Sequence, residues 1–347
     1  MKIRKIIIVF LSFYISSVTA QKIVTVSEAI ELALENNYGI KIISNTKKIA
    51  KNNASILNSG YLPTVTSSSG ATFNKDNIEA EFANGESTQL NGAKSSRYNA
   101  SINLNYTLFD GLGRYYNYKR LKETYKLSEL QARETIENTI AQLYAVYYNV
   151  AQVSESVDVL ERTLTISKDR IKRANYQFEY GQGTMLDVLN AQVDVNNDSI
   201  NLINAKQQLV NTKRDLNVVL GNVITSEFNV ETSIDFKLDV DQNDLINKMK
   251  SNNVTLLQLD KNMMINEFII KANKSGYLPS IGLTGAYGWN KGNNNAASFV
   301  AVSTNTGLSG GLNLSWNLFD GGSTATRVNN AKIDLENKAL EKESMMI

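Results

Sequence analysis

The stretch Tyr98-Asn99-Ala100-Ser101-Ile102-Asn103-Leu104-Asn105-Tyr106-Thr107-Leu108, closed by Phe109-Asp110-Gly111, decides how the rest of the chain is read. Its even positions from Tyr98 to Leu108 are apolar, and its odd positions are Asn, Ser or Thr. Strict alternation predicts a β-strand with one apolar and one wet face. Such a strand suits a membrane barrel, with lipid outside and water inside, at about the 9–11 residues a tilted crossing needs. A soluble antiparallel sheet with one buried face fits the same pattern.

The chain then repeats itself. Asn103 to Gly111 recurs as Asn313-Leu314-Ser315-Trp316-Asn317-Leu318-Phe319-Asp320-Gly321, at an offset of 210. Ser59-Gly60-Tyr61-Leu62-Pro63 recurs as Ser275-Gly276-Tyr277-Leu278-Pro279, and Asn36-Asn37 as Asn252-Asn253, both at an offset of 216. The chain's two prolines hold the same place in the two copies. Markers repeated in order predict two copies of one structural unit. The second copy alternates as well: Ile281, Leu283, Gly285, Tyr287 and Trp289 in one strand, and Leu308, Leu312, Leu314, Trp316 and Leu318 in the next. The strand after Pro63 is blurred by Ser67, Ser68 and Ser69. Strand pairs are thus expected over about residues 62–108 and 279–318. Asn74–Arg97 and Lys291–Asn305 read as polar outer loops.

Before each strand pair lies a helical stretch, Val26–Ser59 and Gln242–Lys274, ended by Gly-Tyr-Leu-Pro. Thr25 and Glu28 form a T-x-x-E capping box. After Gly111 the period changes to seven. Ile136, Leu143, Val150, Val157, Leu164, Ile171 and Phe178 make one seam, and Val146, Val153, Leu160 and Ala174 fill the other. Sustained heptads over Arg114–Tyr180 predict a coiled-coil helix roughly 100 Å long at about 1.5 Å per residue. It stops at Gly181-Gln182-Gly183, and a returning helix bears two apolar stripes. One is Leu186, Leu189, Val193, Ile200 and Ile203; the other is Val188, Val195, Leu202, Leu209 and Leu216. Two stripes imply two neighbours, as in a ring of helices; a helix in an ordinary bundle would show similar stripes.

Composition excludes much chemistry. The 347 residues contain no Cys and no His. Thiol chemistry, disulfides, Cys/His zinc sites and the usual neutral-pH base are therefore absent. Net charge is only +2, with Lys2, Arg4 and Lys5 at the very start, which gives no electrostatic footprint for nucleic acid. Those cations, the apolar run Ile6–Ile15 and Ser16-Ser17-Val18-Thr19-Ala20 predict a signal peptide over residues 1–20, with no Cys after it to carry a lipid anchor. No cofactor, metal or catalytic step is expected. Asp110 and Asp320 recur, but each stands where it caps the following helix.

The segment Phe178-Glu179-Tyr180-Gly181-Gln182-Gly183-Thr184-Met185-Leu186-Asp187-Val188-Leu189-Asn190-Ala191-Gln192 resembles the helix-turn-helix tip of TolC-like outer-membrane channel proteins. Leu-Phe-Asp-Gly at the strand ends, Leu-Pro at the strand starts, and Ala29-Ile30-Glu31-Leu32-Ala33-Leu34-Glu35-Asn36-Asn37 are similar to the same family. The resemblance runs from about residue 25 to the end. It implies a mainly α chain with a membrane β part: long periplasmic coiled-coil helices, and four strands given to a twelve-stranded barrel shared by a homotrimer in the outer membrane. Its domains would be a first repeat over residues 21–241, with a helical hairpin at about 112–220 and an equatorial segment at about 221–241, and an incomplete second repeat over 242–347. The lipid-facing barrel residues would include Ile102, Leu104, Tyr106, Tyr287, Trp289, Leu314 and Trp316.

By the same resemblance, the chain is a passive exit duct for efflux or type I secretion. A periplasmic adaptor would meet Gly181, Gln182, Gly183, Thr184, Met185 and Leu186, and would link the duct indirectly to an inner-membrane pump. Turn-making alone also accounts for Gly181 and Gly183. Asp187 matches a gate aspartate of the family; a helix N-terminal acid favoured by the macrodipole reads the same way. Only 26 residues follow Gly321, so the second tip is missing and a gene fragment or otherwise incomplete copy is expected. The alternative function is a secreted or periplasmic coiled-coil structural protein without a pore, which would have heptads but no paired alternating strands.

Overall fold

The computed structural model describes residues 22–81, 83, 85–225, 227–233, 241–296 and 298–346. The expected signal peptide and residues 234–240 of the expected equatorial segment lie outside these described residues. In chain order the elements are β1 (Lys22–Val24), α1 (Val26–Asn36), α2 (Tyr38–Asn53), β2 (Thr64–Glu81), β3 (Ser87–Phe109), α3 (Gly113–Glu179), α4 (Met185–Val219) and β4 (Phe228–Val230). There follow α5 (Gln242–Asn252), α6 (Val254–Lys274), β5 (Ser280–Asn293), β6 (Val302–Ser315) and α7 (Ser323–Met346). Two compact units form: one from the start to Asn45 with Gln131–Asn247, the other from Thr46–Leu130 with Lys248 onward.

In the first unit α4 folds back along α3. Arg170 Nη1 meets Asp194 at 3.2 Å, Lys206 meets Glu161 at 2.6 Å, and Ser167 donates to Asp198. These contacts fix the antiparallel register. Between the helices lie Leu143, Val150, Val153, Val157 and Ala174 of α3, facing Val188, Ala191, Leu202 and Leu216 of α4. Both heptad seams thus contribute buried residues, since removing their apolar area from water is what holds two long helices together. At the base of this unit Leu143, Tyr147, Val150 and Ala151 join Val24, Ala29 and Ala33 and also Leu216, Val219, Leu220, Phe228 and Val230 in one cluster. Tyr147 is 0% exposed, donates its hydroxyl to Val24 O at 2.7 Å, and accepts from Glu231 N–H at 3.0 Å. It thereby ties the parallel pair β1 and β4 to α3. Sequence reading missed these strands, because three residues are too few to show a period.

The stretch 26–59, read as one helix, is broken at Asn37, and the stretch 242–274 at Asn253. Both asparagines have extended ψ, 127° and 119°. Asn37 Oδ1 accepts from Ile40 N–H at 3.2 Å; Asn253 Oδ1 accepts from Thr255 and Leu256 N–H, both at 3.0 Å. Each asparagine leaves one helix and caps the next, since its short amide competes for the backbone donors. At Thr25 the hydroxyl accepts from Glu28 N–H at 3.2 Å, while the Glu28 carboxylate engages Lys22 at 2.5 Å.

The second unit holds an antiparallel sheet in the order β2-β3-β5-β6. The first polar stretch read as a loop is mostly strand, since β2 runs on to Glu81 and β3 begins at Ser87; of the second only the two ends are strand, with β5 reaching Asn293 and β6 beginning at Val302. Their backbone groups are satisfied by the ladder itself, so a strand wet on both faces needs no apolar alternation. Beside the sheet, Asp110 Oδ2 accepts from Arg114 N–H at 2.9 Å, and Asp320 Oδ2 from Thr324 N–H at 2.8 Å. Both aspartates cap the helix that follows, as expected. Arg114 donates to Gly60 O and Thr107 O at 2.9 and 2.7 Å. Glu123 of α3 is buried against Lys126 (2.7 Å) and Lys261 of α6 (3.0 Å). Burial alone would raise its pKa, but the two ammonium groups outweigh that and hold it below the ordinary value. Lys342 of α7 meets Asp260 of α6 at 2.5 Å.

Candidate functional site: the hairpin tip and the two-faced sheet

The tip follows from two local rules. Helix α3 ends in a Schellman motif, in which Gln182 N–H donates to Gln177 O at 2.7 Å and Gly181 N–H to Phe178 O at 3.0 Å. Gly181 takes φ +72°, the left-handed region that glycine enters without strain. Helix α4 starts with a full capping box. Asp187 N–H donates to Thr184 Oγ1 at 3.3 Å, while Thr184 N–H and Oγ1–H donate to Asp187 Oδ2 at 2.9 and 2.6 Å. Turn-making therefore accounts for Gly181, and capping for much of what Asp187 does. The Thr184 hydroxyl, then its amide, hold the Asp187 carboxyl below its ordinary 3.8.

Because the folded pKa is depressed, the capping-box contribution is complete above 3.8 and is lost as pH falls through the lower folded value. Thr184→Ala is expected to cut the exchange protection of the Asp187 amide several-fold at pH 7. The same loss should appear in the unaltered chain once the carboxyl is protonated. Unchanged protection in both cases would show that the box does not hold the turn.

What the caps leave outward is apolar. Tyr180 is 80% exposed and Leu186 64%, with Met185 and Leu189 also exposed beside Gln182 and Thr184. Tyr180 belongs to the quoted tip segment but not to the residues expected to meet an adaptor; its place beside the turn glycine is the signal that adds it to the exposed surface. Along α4 the two predicted stripes part company. Val188, Leu202 and Leu216 are buried on α3, whereas Leu186, Leu189, Val193, Ile200 and Ile203 face outward.

The sheet separates its faces with the same clarity. Register places Val65, Leu104, Gly285 and Gly310 in one row, and Ser67, Ile102, Tyr287 and Leu308 in the next. Leu283, Tyr106, Trp289 and Leu314 fall on this same face. The opposite face carries Thr66, Asn103, Ala286 and Ser309, and Ser68, Ser101, Gly288 and Gly307. Ser68 and Ser101 share a hydrogen bond of 2.9 Å across it. The apolar face is open: Leu308 is 82% exposed, and Ile102, Tyr287, Leu312 and Leu314 are exposed too. Of the residues expected to face lipid, Trp316 lies one residue beyond β6, where its indole N–H donates to Tyr277 O at 3.1 Å. Among the described residues no helix is long and apolar enough to cross a membrane, and none of their acidic side chains cluster as a metal site.

The family model described as "outer membrane efflux protein" matches residues 29–222 and 245–345. No curated protein sequence gives a significant match. Among solved structures, the outer membrane channel CmeC of Campylobacter jejuni superposes with TM-score 0.71 at 17% identity, covering 92% of this chain and 67% of that one. The open-state outer membrane channel MtrE of Neisseria gonorrhoeae gives 0.67 at 16%, covering 92% and 69%. The outer membrane protein VceC of Vibrio cholerae gives 0.65 at 12%, covering 92% and 75%. At these identities the likeness establishes the fold.

Proposed function

We propose, starting from the fact that this chain belongs to the outer membrane efflux protein family, that it works as a passive exit duct in the outer membrane. Three copies would join their four-stranded sheets into one twelve-stranded barrel. The observation that carries this reading is the open apolar face kept in register across β2, β3, β5 and β6. A soluble sheet would cover such a face; lipid covers it without any protein partner. The outer edges of β2 and β6 support the same arrangement. Among the described residues each pairs on one side only, and closure removes such edges. The Asn, Ser, Thr and Gly face then lines water, and solutes pass by diffusion without bond chemistry.

The rest of the outward stripe of α4, Leu189 to Ile203, is assigned to a neighbouring copy in a ring of periplasmic helices. Gly181, Gln182, Gly183, Thr184, Met185 and Leu186 are assigned to a periplasmic adaptor, which couples the duct to an inner-membrane pump; the exposed apolar tip supports this. Asp187 is assigned to the periplasmic gate. Its Oδ2 takes the Thr184 bonds, so the gate role rests on Oδ1.

Membrane fractionation tests the proposal. The chain is expected in the outer-membrane fraction, migrating as a trimer unboiled and as a monomer after heating. A soluble periplasmic monomer would overturn the duct and favour a coiled-coil structural protein.

A further inference from the structure

The apolar sheet face ends in cations. Moving along it toward the two hairpin turns, the row of Ser69, Ala100 and Trp289 is followed by Ala71, Tyr98 and Lys291, then by Phe73, Ser96 and Asn293, then by Lys75 opposite Lys94. Parity of the ladder puts all of these side chains on the face that carries Ile102 and Tyr287. Phe73 and Tyr98 meet edge to face at 5.7 Å between centroids. With Ser96, Asn293, Lys75 and Lys94, Phe73 lines an open concavity of about 520 Å³. Lys75 and Lys94 are exposed and Lys291 is half-buried.

This placement has no reason in the fold. Like charges directly opposite across a ladder repel, and the register sets Lys75 against Lys94. Among the described residues no carboxylate lies within ion-pair distance of Lys75, Lys94 or Lys291. Lys291 and Lys94 are four residues apart by register, roughly 13 Å along the strands, and flexible lysine stems shorten that gap. Aromatic rings on three successive rows (Trp289, Tyr98, Phe73), with Lys291 level with Tyr98 and Lys75 and Lys94 one row past Phe73, match the order of a membrane interface, where acyl chains give way to charged headgroups and a lysine stem spans a row or two.

We propose that Lys75, Lys94 and Lys291 bind the phosphate groups of an anionic lipid headgroup in the leaflet nearest the hairpin turns. The lipid's acyl chains would lie on the Phe73, Tyr98 and Trp289 surface, and its phosphates would neutralise the opposed lysines. The site rests on the membrane reading of the sheet.

The test compares the full chain with a K75Q/K94Q/K291Q variant, both purified in detergent. The probes are a bisphosphorylated acylated diglucosamine lipid and its dephosphorylated counterpart. The unaltered chain is expected to bind the phosphorylated lipid at least about tenfold more tightly than the dephosphorylated one, with that preference lost in the variant. Equal preference in both chains, or none in either, overturns the proposal. Displacement of the lipid by equimolar inorganic phosphate would make this a free-phosphate site and overturn it as well. Flotation with zwitterionic vesicles separates the two readings, since it depends on the apolar band and not on the lysines. Both chains are expected to float. If neither floats, the membrane reading fails and takes this site with it; if both float but bind the two lipids alike, the headgroup site alone is wrong.

Discussion

Ile102→Arg is expected to stop the chain from assembling in the outer membrane, while Asn103→Arg, one residue further on, assembles and changes what the pore conducts. The two positions are neighbours in β3 but lie on opposite faces: Ile102 sits between Ser67 and Tyr287, and Asn103 between Thr66 and Ala286. Ile102 is at the centre of the alternating stretch, so on the proposed reading its side chain lies near the bilayer midplane. An arginine there costs about 2–4 kcal/mol on the lipid face of a barrel, repeated in every copy of a symmetric trimer. Next door, an arginine projects into water and costs little. It adds one positive charge per copy to a face whose neighbours, Ser101, Asn105, Thr66 and Ala286, are uncharged. Selectivity should move toward anions. The measurement is heat-sensitive trimer in the membrane fraction for both variants, then ion selectivity in planar bilayers for the second. Equal assembly of the two would mean that neither face meets lipid, and the duct would be abandoned in favour of a covered, soluble sheet.

Tyr147→Phe is expected to loosen the base of the helical hairpin, with its β1–β4 pair, without touching the four-stranded sheet. The hydroxyl is fully buried and serves two backbone groups, Val24 O and Glu231 N–H, on segments far apart in sequence. Phenylalanine fills the same space but leaves both the Val24 carbonyl and the Glu231 N–H without this partner, at about 2 kcal/mol, or about thirtyfold in a local opening constant. Tyr147→Ala adds a cavity in the Leu143, Val150 and Leu216 cluster and is expected to cost about 3–5 kcal/mol. Amide exchange of Phe228–Val230 reads both changes. Tyr148→Phe is the matched control, since that half-buried ring stacks on Tyr144 at 6.1 Å and lies on the rim of the cluster. If Tyr147→Phe exchanges like the unaltered chain, β1 and β4 are held by their apolar side chains alone.

What the sequence determined by itself was everything whose cause lies within a turn or two of chain. Period two along Tyr98–Leu108 named a strand and its faces, and period seven named the long helix and its buried seam. Gly181 ended that helix, and Asp110 and Asp320 capped theirs, because a cap joins residues three or four apart; the Thr184–Asp187 box is just as local, but only the structure brought it out. Tertiary structure decided the matters that depend on distant segments. Two stripes on α4 look alike as sequence, and only the position of α3 shows that Val188, Leu202 and Leu216 are covered while Leu186, Val193 and Ile200 are not. The polar ends of β2 and β3 show no alternation, since the ladder that satisfies them pairs residues across the hairpin. Asn37 reads as one more helical residue until its amide donates to Val219 O, 182 positions away. Tyr147 is indistinguishable by pattern from the exposed Tyr144, and the three lysines lie far apart until register brings them onto one face. Local periodicity fixes which way a side chain points; which surface it meets there is set by chain closure over a hundred residues or more.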